Sequence, residues 1–175
     1  MNKIITYRFL TGYILISLAL ISISALIIYA FNPFGNNRCI KGTCKNGYGV
    51  YLYNSGMVYE GEWKNGRRDG KGILTYPDGT RYEGEWKNNR MHGFGTKTSP
   101  ILRSYKYIGE WKEGHKYGKG IQYYSYAEWY EGEWKNGLED GFGIYTRVLR
   151  DGSIKKAEGY WKNGKPYKIT KTHRL

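Results

Sequence analysis

No acidic residue precedes Glu60; all 15 acids of the chain lie from there on. Up to Tyr59 the only charges are five bases, Lys3, Arg8, Arg38, Lys41 and Lys45. Histidine is confined to His92, His115 and His173, and none of them stands beside a Ser or Cys in a nucleophile motif. That scarcity argues against hydrolytic or acyl-transfer catalysis. Cysteine occurs only at Cys39 and Cys44, five positions apart. A metal site would need two further ligands, and a catalytic redox pair prefers Cys-x-x-Cys. The pair is expected to close a small disulfide loop in an oxidising compartment, with two unpaired thiols as the alternative. No metal or cofactor is implied.

Charge is also missing from Phe9 to Phe31, 23 residues dominated by Ile, Leu and Ala. As a helix this run is ~34 Å long, enough for a hydrocarbon core of ~30 Å. Tyr13 and Tyr29 lie near its ends, where amphipathic rings favour the headgroup zone, and Pro33 ends it. The expectation is a membrane-spanning helix over 9–31, after a short basic N-terminus over 1–8 and before a linker over 32–38. A cleaved signal peptide is the alternative, although Ile28-Tyr29-Ala30 makes a poor cleavage site. Bases on the two sides nearly balance, so orientation rests on the resemblance to an uncleaved signal anchor and on the cysteines. Both favour a single-pass membrane protein whose C-terminal part is exported, periplasmic or extracellular.

What the chain has in excess is Tyr, with 19, and Gly, with 25. Five Trp residues, Trp63, Trp86, Trp111, Trp134 and Trp161, close related strings: YEGEW, YEGEW, YIGEW, YEGEW and AEGYW. Nine residues after the Gly of each of the first four comes a Gly-x-Gly pair: Gly70/Gly72, Gly93/Gly95, Gly118/Gly120 and Gly141/Gly143. Gly47/Gly49 makes a fifth pair, ahead of the first Trp. Each unit reads as two strands, one such as Tyr59 to Trp63 and one such as Gly72 to Tyr76. Period two puts Tyr, Gly and Trp on one face. The column Val50, Ile73, Thr96, Ile121 and Ile144 lies on the other, alternating with charge. Gly66, Asn89, Gly114, Gly137 and Gly164 share one turn position, which implies positive φ there. Insertions around 98–106 and 148–156 are expected to form loops.

The pattern resembles the MORN-repeat family, whose string is close to Tyr-x-Gly-x-Trp-x-x-Gly-x-x-x-Gly-x-Gly-x-x-x-Tyr-x-x-Gly. The unit from Tyr59 to Gly79 matches it throughout. The fold expected is all-β: an antiparallel β-meander repeat array of about four full units with partial caps, over 39–167, followed by a basic tail over 168–175. Asn89, Ser99, Arg147 and Ala157 depart from the string, the last two in a capping unit.

The resemblance implies a non-catalytic scaffold for protein–protein interaction. Two other readings stand beside it: an anionic phospholipid-binding module, and recognition of an envelope glycan. The Gly-x-Gly pairs are no phosphate loop, because no Gly-Lys-Ser/Thr follows them. The pairs Glu60/Glu62, Glu83/Glu85 and Glu131/Glu133 recur, which suits structure rather than one catalytic site; they are expected to meet Lys or Arg across strands. Two features are candidates for binding. One is an aromatic face of Tyr59, Trp63, Tyr76, Tyr82, Trp86, Tyr107, Trp111, Tyr124, Tyr130, Trp134 and Trp161, unless those rings only cover each other. The other is the basic run Lys162, Lys165, Lys168, Lys171 and Arg174. The partners expected are a membrane through 9–31, a protein or a second copy of the chain, and an anionic lipid. Nucleic acid is not among them.

Overall fold

The computed structural model describes residues 37–100 and 105–175. The expected membrane helix over 9–31, the segments flanking it up to residue 36, and the centre of the first insertion lie outside the described residues. Among the described residues no helix is long and apolar enough to cross a membrane.

Twelve strands follow in chain order: β1 (Arg38–Gly42), β2 (Gly47–Leu52), β3 (Val58–Lys64), β4 (Arg67–Thr75), β5 (Arg81–Lys87), β6 (Arg90–Ser99), β7 (Tyr105–Lys112), β8 (His115–Ser125), β9 (Glu128–Lys135), β10 (Leu138–Val148), β11 (Ile154–Lys162) and β12 (Lys165–Arg174). They form one antiparallel meander in which each strand pairs with its sequence neighbours. The expected all-β repeat architecture is therefore the architecture of this region.

Register explains the glycine content. Gly49, Gly61, Gly72, Gly84, Gly95, Gly109, Gly120, Gly132, Gly143 and Gly159 stand directly opposite one another, strand by strand, from β2 to β11. They make a bare stripe across the sheet, and the tyrosine rings lie over it. A Cβ on Gly120 would sit 2.6 Å from Cζ of Tyr107, so only glycine leaves room for the ring.

The rings interlock across units. Tyr59 meets Trp63 at 5.0 Å and Trp86 at 5.3 Å, both edge to face. The same T-shaped pair of contacts recurs around Tyr82, Tyr107 and Tyr130, so the series runs unbroken to Trp161. These are the preferred geometries of aromatic pairs, about 0.5–1.5 kcal/mol each beyond area burial. The polar tips are satisfied as well. Tyr59 Oη donates to the Glu62 carbonyl and Trp86 Nε1 to the Gly72 carbonyl, with equivalents in the later units.

The turn after each Trp is tighter than the sequence pattern suggests. Asn65 and Gly66 have φ of 52° and 72°, and the four later turns repeat two consecutive positive values. This is the type I′ hairpin, whose twist matches its strands. The second strand therefore starts at Arg67, ahead of the Gly-x-Gly pair, and passes through that pair with a bulge. At Asn89, where the other units have Gly, the side chain is put to use: Oδ1 accepts from the Arg68 amide at 2.8 Å.

Two expectations need correction. The residues added around 148–156 form no loop. Val148 pairs with Ile154, and Leu149–Ser153 makes the same tight turn seen at Tyr76–Thr80, so the extra length extends the hairpin. The expected basic tail over 168–175 is mostly strand: β12 continues to Arg174, pairing with β11 through two irregularities, because the exposed backbone of β11 offers a ladder.

Candidate functional site: an apolar groove on the outer face

The aromatic residues expected as a binding face are mostly core. Tyr59, Tyr82, Tyr107 and Tyr130 have no exposed surface, and the five Trp are buried. Tyr76 is half-buried against them, and Tyr124 lies at the margin, its hydroxyl bonded to the Glu139 carboxylate. The buried rings pack edge to face on one another and present no flat platform for stacking a sugar. Burial pushes the four tyrosine hydroxyls well above the ordinary phenol range. Where Arg68 and Lys116 border the core they stack on it: Arg68 Cζ lies 4.3 Å from the Trp86 ring centre and Lys116 Nζ 4.1 Å from that of Trp134. Lys116 also donates to Gln122 Oε1 at 2.7 Å, and burial lowers its pKa to about 8.

The paired glutamates do not mainly meet lysines or arginines. Glu62, Glu85 and Glu110 turn their carboxylates into the bulges, accepting the amides of Lys71, Phe94 and Lys119 at 2.9–3.0 Å. The bulge glycines give them space: Gly70, at φ 104°, would place a Cβ 2.8 Å from Glu62 Cδ. The first glutamates of the pairs differ. Glu60 accepts from Tyr48 Oη, Glu83 pairs with Arg81, and Glu131 has neither hydrogen bond nor ion pair among the described residues.

The basic run also divides. Lys162 pairs with Asp140 at 3.2 Å and Arg174 with Asp151 at 2.8 Å. Lys165, Lys168 and Lys171 lie along β12 with no acidic partner among the described residues. At the other end the Sγ atoms of Cys39 and Cys44 are joined as a disulfide, with Cα atoms 5.8 Å apart. Cys44 Sγ lies over Gly49, where a full unit sets a tyrosine ring.

Residues absent from the expected sites assemble on the opposite, outer face. Register aligns two rows there. One runs Val50, Glu60, Ile73, Glu83, Thr96 and then Ile108, Ile121, Glu131, Ile144, Glu158. The other carries the middle residues of the Gly-x-Gly pairs: Tyr48, Lys71, Phe94, Lys119 and Phe142. Between β6 and β10 they enclose a groove of about 450 Å³ lined by Phe94, Ile108, Ile121, Phe142 and Ile144 together with Lys119, Glu131 and Glu133. Phe94 and Phe142 remain 57% and 41% exposed, so the groove is uncovered. The signal was in the sequence: Ile108 stands where four other units have Glu, the one YIGEW among the YEGEW strings. A polar hollow of about 470 Å³ lies between turns, and Arg67, Asp69 and Asn88 in its wall hydrogen-bond to one another. Among the described residues no three His, Cys, Asp or Glu side chains are placed to hold a metal ion.

The geometry defines a class: a single-sheet β-repeat array, locked by an aromatic ladder on one face and open on the other. A family model described as MORN repeat matches residues 45–58, 59–81, 82–101, 107–125, 130–148 and 158–166, more than half of the chain. The protein belongs to the MORN repeat family. Such repeats are generally non-catalytic modules that mediate protein or membrane interaction. No curated protein matches the chain.

Proposed function

We propose that this protein is a membrane-anchored, non-catalytic scaffold whose repeat array holds a protein partner in the outer-face groove. The observation that carries the reading is Ile108. Replacing a glutamate by isoleucine in one unit sets Ile108 directly beside Ile121, so that with Phe94, Ile144 and Phe142 they line an apolar groove interrupted on this row only by Glu131. An exposed apolar patch rimmed by charge is the usual mark of an interaction site. The anchor rests on the uncharged run from Phe9 to Phe31, and export of the array on the Cys39–Cys44 disulfide.

A photo-crosslinking residue at Phe142 in the full chain, expressed in cells, tests the groove. One protein is expected to be captured there and lost on Ile108→Glu; no capture, or capture indifferent to that change, sinks the reading. A membrane-impermeant maleimide tests topology. Labelling of Cys39 and Cys44 in intact cells only after reduction fits export, and labelling without reduction only after lysis places the array in the cytosol.

A second reading, contact with anionic lipid, rests on Lys165, Lys168 and Lys171. Close to a membrane each would contribute about 1 kcal/mol. Flotation with phosphatidylserine vesicles that disappears in high salt supports it; salt-independent flotation, or none, does not.

A further inference from the structure

The groove lies in an acidic setting on a basic protein. The net charge of the chain is +13, yet eight of its 15 acids fall on the two outer-face rows. Glu62, Glu85 and Glu110 are occupied by bulge amides, and Glu60, Glu83 and Glu158 by Tyr48, Arg81 and His173. Of these eight, two carboxylates are left with no hydrogen bond or ion pair among the described residues, Glu131 and Glu133; Glu133 stands opposite Lys119 in register, so the uncompensated one is Glu131, on β9 between Ile121 of β8 and Ile144 of β10. A bare carboxylate flanked by two isoleucines is complementary to a cation flanked by apolar groups, and mismatched to an anionic lipid surface.

From this the geometry points to the partner's chemistry: an extended protein segment carrying a Lys or Arg between large apolar side chains, seated in the groove with its cation on Glu131. This rests on the groove reading above. The distance from β6 to β10 is four strand spacings of ~4.8 Å, or ~19 Å, which about six extended residues cover at ~3.3 Å each. Phe94 and Phe142 close the two ends of that span and take the flanking apolar side chains. Lys119, on the far row beside Glu133, discourages a second cation and fixes where the first one sits.

The test uses full-length protein in detergent and a dye-labelled hexapeptide, Leu-Ile-Arg-Leu-Phe-Gly, read by fluorescence anisotropy. Versions with Glu or Leu replacing Arg are the comparison. The Arg peptide is expected to bind at least tenfold more tightly than the Glu version, since a hydrogen bond to a charged group carries that much. Glu131→Gln should cost the Arg peptide about tenfold and leave the Leu peptide unchanged. Ile108→Glu should abolish binding while the protein still folds, because four other units carry glutamate at that position.

Equal binding of the three peptides, no binding of any, or indifference to Glu131→Gln overturns the proposal. So does a full chain whose mass by light scattering falls to that of a monomer on Ile108→Glu, which makes a second copy the occupant. Flotation with anionic vesicles that Ile108→Glu removes makes it a bilayer. If crosslinking at Phe142 still captures a protein while Glu131→Gln changes nothing, the groove stands and only the cationic chemistry falls. If nothing is captured, the groove itself falls.

Discussion

The tyrosine over glycine is the smallest unit on which this fold depends. Gly120 lies under the Tyr107 ring, and that ring is held by its hydroxyl bond to Glu110 and by Trp111 and Trp134 at 5.1 and 5.2 Å. Alanine there has nowhere to go, and overpacking of this kind costs about 1–3 kcal/mol. Gly120→Ala is expected near the upper end in urea unfolding. Gly114→Ala meets nothing within 4 Å and carries only the strain of φ 88°, about 1 kcal/mol. Glu113 shows the reverse case. It sits at φ 52° in the turn position that four other units give to Asn. Its bond to Arg90, 3.6 Å long and exposed, returns little. Glu113→Asn is expected to stabilise by a few tenths to about 1 kcal/mol, read as a shift in urea midpoint at constant slope.

Single elements set the response to pH. Lys116 at the start of β8 is half-buried against Tyr107 and Trp134, and this desolvation lowers its affinity for a proton, with Glu139 raising it and Lys97 lowering it further. Its pKa falls from 10.5 to about 8, so between those values the unfolded chain holds a proton that the folded one lacks. Stability therefore rises with pH across that window. The buried tyrosines act oppositely: their folded pKa values are raised above 10, and stability is lost as pH climbs past it. The melting temperature is expected to climb from pH 8 toward pH 10 and then fall. Tyrosinate absorbance should appear only as the protein unfolds. Lys116→Met should flatten the climb and keep the fall. Edge elements bear on assembly. β1 is five residues long, bulged and stapled by the disulfide, while β12 carries Pro166, two irregularities and three lysines with no acidic partner among the described residues. Such features discourage another strand from adding at the ends.

At the scale of the molecule the repeat region is one-dimensional: each strand packs on its neighbours and units communicate through the aromatic ladder. Trp111 bridges Tyr82 and Tyr107, whereas Trp161 ends the series against Tyr130. Trp111→Ala is expected to cost about 3–5 kcal/mol and to raise hydrogen exchange in β3 to β11. Trp161→Ala should raise exchange chiefly in β10 to β12 and leave β3 to β6 protected. Equal exchange profiles in the two variants would contradict the one-dimensional picture.

Strand identity, repeat register and the positive φ of the turn position were all legible in the sequence. They depend on spacings between neighbouring residues, and the YEGEW string and Gly-x-Gly pair carry both the period and the turn. The partial cap ahead of the first Trp, marked by Gly47/Gly49, was legible for the same reason. What the side chains do required the folded sheet. Whether Tyr and Trp bind or pack depends on which rings meet across units, and the structure turns them inward on one another. Glutamates that look like partners for lysine are claimed by bulge amides, since the bulge exists only once two strands are paired. The C-terminal lysines look like a tail until β11 presents a ladder for them. Ile108 stood in plain sight as one altered letter, but its alignment with Phe94, Ile121 and Phe142 comes from pairing across five strands, which only tertiary structure decides.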